Sequence, residues 1–108
     1  MINTDLGEVK ISREVINTIV RLAMSEIDSV SNIPKDATKK IHTKLPKVEI
    51  ENNEVKVNVY VSFYYGSEIK KEVEKLQENI KNSIETMVEL KVSAVNVYVY
   101  DIVPKEEN

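Results

Sequence analysis

Residues 55–102 read VKVNVYVSFYYGSEIKKEVEKLQENIKNSIETMVELKVSAVNVYVYDI, and this stretch decides the fold. Val55, Val57, Val59, Val61 and Phe63 alternate with Lys56, Asn58, Tyr60, Ser62 and Tyr64. A period of two makes one face of a strand apolar. Gly66 then breaks the strand, and Ser67 is expected to cap a helix from Ser67 to about Glu89. Within it Ile69, Val73, Leu76, Ile80, Ile84 and Met87 recur at spacings of three or four, which form one helical stripe. Alternation returns after Leu90 with Val95, Val97 and Val99. The pattern is a βαβ unit.

Working backward, Val48 to Val55 carries a hairpin signal. Asn52-Asn53 can supply a two-residue turn, because Asn tolerates positive φ. That turn sets Ile50 against Val55, Glu49 against Lys56 and Val48 against Val57. Apolar residues then share one face and an opposite-charge pair the other. Ser12 is read as the N-cap of a first helix from about Arg13 to about Ile27. Its apolar residues are Val15, Ile16, Ile19, Val20, Leu22, Ala23 and Ile27. Glu8-Val9-Lys10-Ile11 alternates as a short strand, and residues 1–6 read as a loose end. No internal repeat or low-complexity tract is apparent. The expected fold is α+β, a single domain over residues 1–108 with the order β-α-β-β-α-β. It places two helices on one face of a small mixed sheet. Two arrangements stay open. The last strand lies directly beside the one starting at Val55, or the short first strand lies between them.

Residues 29–47 form a basic connecting segment bracketed by Pro34 and Pro46. Lys35, Lys39, Lys40, Lys44 and Lys47 face one acid, Asp36, so residues 34–47 carry +4. The chain as a whole carries −3, which leaves −7 elsewhere. Asp36 can cap a short helix with Ala37, Ile41 and Leu45 on one face. Residues 104–108 are polar and read as a frayed tail.

The same composition limits chemistry. The chain has no cysteine, which excludes disulfides and thiolate metal sites. Its one histidine, His42, has no companion at ligand spacing. Gly7 and Gly66 are the only glycines, so a phosphate-cradling loop cannot be built. No serine sits in a nucleophile constellation. No enzyme, metal or cofactor is expected. No apolar run reaches a membrane span, and no signal-peptide pattern precedes Asp5 and Glu8. The expected location is the cytoplasm, with contact to the membrane surface or to an acidic partner through Lys35, Lys39, Lys40, Lys44 and Lys47 as one use of the basic segment.

Parity singles out one surface. Tyr60, Tyr64, Tyr98 and Tyr100 alternate against the valines, and Ile102 shares that parity. With helices on the valine face, these residues form a candidate interaction surface for a second copy or a partner protein.

The residues that remain resemble a known family. Gly7-Glu8-Val9-Lys10-Ile11-Ser12, then Glu14-Val15-Ile16 and Ile19, resemble the opening of the alkaline shock protein family. Tyr65-Gly66, Ile69, Gln77, Ile84-Glu85-Thr86-Met87, Leu90, Val92 and Val95-Asn96-Val97 resemble its second half. Two positions depart from the family pattern. Asp28-Ser29 stands where Pro-Gly is usual, and Glu89 where glycine is usual. The resemblance implies a small, cytoplasmic, non-enzymatic protein of Gram-positive bacteria. It implies a role in envelope stress and homeostasis, acting by protein–protein contact, with some members held at the membrane by a partner. The alternative reading is a small α/β nucleic-acid-binding domain using the basic segment and the tyrosine face, which the net charge disfavours.

Overall fold

The structure, a computed structural model, describes residues 2–31 and 45–105. Seven elements follow in order: β1 (Ile2–Thr4), β2 (Gly7–Val9), α1 (Arg13–Ser25), β3 (Lys47–Glu51), β4 (Glu54–Tyr64), α2 (Ile69–Val88) and β5 (Lys91–Val103). The α+β class holds, with one addition at the N-terminus. Residues 2–9 are not a loose end and a sheet strand. They form their own antiparallel hairpin, with Ile2 opposite Val9 and Thr4 opposite Gly7. The Thr4 hydroxyl holds that turn by donating to the Gly7 carbonyl and accepting from the Leu6 amide.

The main sheet has three strands in the order β3-β4-β5. β3 and β4 are antiparallel with Ile50 opposite Val55, Glu49 opposite Lys56 and Val48 opposite Val57, as the hairpin pattern requires. Asn52 and Asn53 sit at φ of 52° and 62°, the two positive values of a type I′ turn. β5 lies parallel to β4 and directly beside it, so no strand intervenes between them.

Both helices bury their stripes on the valine face. Ile16, Ile19, Val20 and Ala23 of α1 and Leu76, Ile80, Ile84 and Val88 of α2 share one core with Val55, Val57, Val59, Val61 and Phe63. Ser12 caps α1 by accepting from the Val15 amide. Ser67 does not cap α2. The cap position belongs to Glu68, and the Ser67 hydroxyl instead donates to the Tyr64 carbonyl at 2.7 Å, tightening the turn at Gly66. Glu68 pairs with Lys71 across one helical turn at 3.5 Å.

The stripes are narrower than their apolar residues suggest. Met87, Leu22 and Val15 are exposed, and Val88 rather than Met87 closes the core end of α2. A 20-residue helix rotates its apolar line against a short sheet, so the last member of the stripe leaves the contact. α2 then stops at Glu89, which adopts φ 56° and ψ 30°. This left-handed residue turns the chain so that Leu90 drops into the core and β5 begins at Lys91.

Candidate interaction surface

The sheet face away from the helices is built from the alternate residues of three strands. The pairing carries Lys47, Asn58 and Asn96 across in one row, and Tyr60 with Tyr98 in the next. The Asn96 amide donates to Asn58 Oδ1 at 2.9 Å. The rings of Tyr60 and Tyr98 stack with centroids 5.3 Å apart and an interplanar angle of 19°. Offset stacking of this kind adds roughly 0.5–1.5 kcal/mol beyond burial. Tyr98 and Tyr100 are about half exposed, while Tyr60 and Tyr64 are half-buried.

Two residues expected there by parity are displaced. Strict alternation puts Val92, Ala94 and Ile102 with the tyrosines. Two irregularities in the β4–β5 register, opposite Val55/Lys56 and Val61/Ser62, break that alternation at Ser93 and Tyr100. An extra residue in one strand reverses side-chain parity beyond it. Val92 therefore pairs with Val55 in the core, and Ile102 pairs with Phe63 rather than standing on the tyrosine face. Ala94, opposite Lys56, stays on the open face.

The edge of β4 beyond β3 is covered by the start of the basic segment. Val30 bridges Phe63 in antiparallel sense. The Ser31 amide donates to the Ser62 carbonyl at 2.8 Å, and the Tyr64 amide to the Ser29 carbonyl at 2.9 Å. This contact buries Ser62 and bounds the tyrosine face on that side. Ser29 is also tied to α2, its hydroxyl donating to Glu72 Oε1 at 2.6 Å. That bond holds the Glu72 carboxyl below its ordinary pKa, against partial burial, with Lys75 at 3.3 Å assisting. At the far end of the segment Lys47 is a strand residue opposite Asn58, not part of a loop. Lys35, Lys39, Lys40 and Lys44, and the short helix expected after Asp36, lie outside the described residues.

A second apolar surface was not foreseen. Val15, Leu22 and Met87 line a shallow groove between α1 and α2, with Ile19 and Ala23 at its floor. These are the residues that the periodicity assigned to the core. A repeat also escaped the sequence reading. Val-Asn-Val-Tyr-Val occurs at 57–61 and again at 95–99, and the two copies are paired in register.

No helix among the described residues is long and apolar enough to cross a membrane. The fold resembles two solved MamM CTD variants. One has a TM-score of 0.54 at 8% identity, covering 83% of this chain and 98% of that one. The other has a TM-score of 0.53 at 9% identity, covering 82% of this chain and 94% of that one. At such identity the likeness concerns fold alone. In sequence the chain is 29% identical over 108 residues to YqhY of Bacillus subtilis (strain 168), an uncharacterized protein, covering 93% of this chain and 80% of YqhY. The family model for alkaline shock protein 23 matches residues 1–104. With the motifs from Gly7 to Val97 in their order on this fold, the chain belongs to the alkaline shock protein 23 family, whose function is cell envelope-related.

Proposed function

We propose that this chain is a non-enzymatic module of envelope stress and homeostasis that acts by protein–protein contact, in the cytoplasm or at the membrane surface through a partner. One observation carries the reading. The sheet face that neither helix covers ends in Tyr98 and Tyr100, both about half exposed beside the Tyr60–Tyr98 stack. Tyrosine offers large rigid contact area with a polar tip, which is why it is enriched at protein interfaces. The envelope-related family supplies the setting. The described charges on the open face are mixed in sign, Lys47 and Lys56 standing among Glu49, Glu51 and Glu54, which does not favour a phosphate backbone.

The test is capture from the native cell with membrane and soluble fractions compared, using wild type and a Tyr98→Lys/Tyr100→Lys double variant. Wild type is expected to retain a defined partner that the double variant loses, with helix content unchanged. Retention by both proteins counts against the tyrosine surface. Binding of RNA with a steep salt dependence counts for the nucleic-acid alternative.

A further inference from the structure

The repeated pentapeptide points to a use for the free edge of β5. Within the chain, Val57 pairs with Val95, Asn58 with Asn96, Val59 with Val97, Tyr60 with Tyr98 and Val61 with Val99. Every partner is its own duplicate, and the duplicates match chemically through the Asn–Asn bond and the Tyr–Tyr stack. Ladders of identical residues are a favourable arrangement for such strands. β4 is enclosed by β3 and β5, but β5 is the last strand of its sheet among the described residues.

The outer edge of β5 is closed at both ends and open in the middle. Glu85 Oε2 accepts from the Val92 amide at 2.9 Å, and Gln77 Nε2 donates to the Val95 carbonyl at 2.9 Å. Beyond the second bulge Asp101 Oδ1 accepts from the Ile102 amide at 2.8 Å. Between these points, alternation places the backbone groups of Val97 and Val99 on the same edge as the Val95 carbonyl. No described residue pairs with that edge. Both faces of the strand are also open there. Tyr98 and Tyr100 are exposed on one side, and Val99 and Ile102 on the other. A long apolar edge left in this state is a template for another strand.

The charge pattern selects the occupant. A two-fold contact brings the same patch of both copies together, residue i meeting residue j and j meeting i, so a patch of one charge meets its like. The chain carries a net −3, yet from Val92 to Ile102 Asp101 is the one charged residue, and an axis at Val99 sets it away from its own copy. This stretch can meet itself without repulsion.

We propose that two copies of this chain pair antiparallel along Val97–Ile102 about a two-fold axis at Val99. The pairing makes one continuous sheet of six strands, and it brings Tyr98 of one copy toward Tyr100 of the other. It leaves Glu85 and Gln77 in place and exchanges the Ile102 amide's bond to Asp101 Oδ1 for one across the interface. This goes beyond the functional reading above, which concerns a different protein. It is tested with purified chain alone, so either can fail without the other.

The experiment is sedimentation of the full chain from micromolar to millimolar concentration, with Val99→Lys and Val99→Glu. Wild type is expected to reach twice the 12.4 kDa chain mass. Each variant alone is expected to stay monomeric where wild type is dimeric, and an equimolar mixture to recover the dimer. Circular dichroism checks that each variant folds, which the exposure of Val99 favours. Should either variant misfold, amide exchange on wild type decides instead, because the Val97 and Val99 amides must gain protection as concentration rises. A wild type monomeric throughout overturns the proposal, as does a dimer that survives both single variants. So does a dimer in which those two amides stay unprotected. A monomer that accepts an extended peptide at this edge would assign the site to another protein instead.

Discussion

Replacing Glu89 with glycine should stabilise the protein. Glu89 ends α2 at φ 56° and ψ 30°, in the left-handed region. A residue with a Cβ pays roughly 1–2 kcal/mol to be there. Glycine removes that cost but restores freedom to the unfolded chain, which takes back about 0.4–1 kcal/mol. The Glu89 side chain is exposed, so little contact is lost with it. The net expectation is a gain of about 0.5–1 kcal/mol. For a domain of this size that is a rise in Tm of roughly 2–8 °C. Urea unfolding followed by circular dichroism reads it as a higher midpoint at unchanged slope. Glu89→Ala is the control, since alanine removes the side chain and keeps the Cβ. It should lie within about 0.5 kcal/mol of wild type. A glycine variant no more stable than wild type, or an alanine variant as stable as the glycine one, would refute the argument that the Cβ strains this cap.

Other consequences are as specific. The Asn79 amide of α2 donates to the Ala23 carbonyl and to Glu26 Oε1 at the end of α1, so Asn79→Ala should cost about 1 kcal/mol in the same urea assay. Ser29→Ala should raise the Glu72 pKa, read by NMR titration of its side-chain carboxyl. A depressed carboxyl pKa contributes stability above the unfolded value, which is lost as pH falls through the lower folded value. The variant should therefore lose stability at neutral pH and show a shallower acid dependence than wild type.

The helix end illustrates how local and tertiary information divide. Glycine is the usual residue at such a cap, and its absence left the form of the turn undecided. The chain forms the left-handed turn all the same, because Leu90 gains a buried site and β5 must start at once beside β4. The interaction surface divides likewise. Tyr60 and Tyr98 were legible from a period of two, since each lies in an unbroken run of alternation. Ile102 was not, because the bulge at Tyr100 has no local signal such as glycine. It exists where the β5 register meets that of β4. The groove holding Leu22 and Met87 was hidden for a related reason. Periodicity reports which side of a helix is apolar, but the neighbours decide how much of that side is covered.

What the sequence by itself determined lies within a few residues or one period. The Asn52-Asn53 turn and its register, the Ser12 cap, the two amphipathic helices and the βαβ unit all follow from interactions between near neighbours. The tertiary structure alone decided that β5 lies directly beside β4, that residues 2–9 form a separate hairpin, and that Val30 closes the free end of β4. The β4–β5 and Val30–Phe63 pairings join residues far apart in the chain, and the hairpin of residues 2–9, though local, forms apart from the main sheet. Their selection depends on the loop closed, the core filled and the backbone groups satisfied together, and no single segment carries that sum.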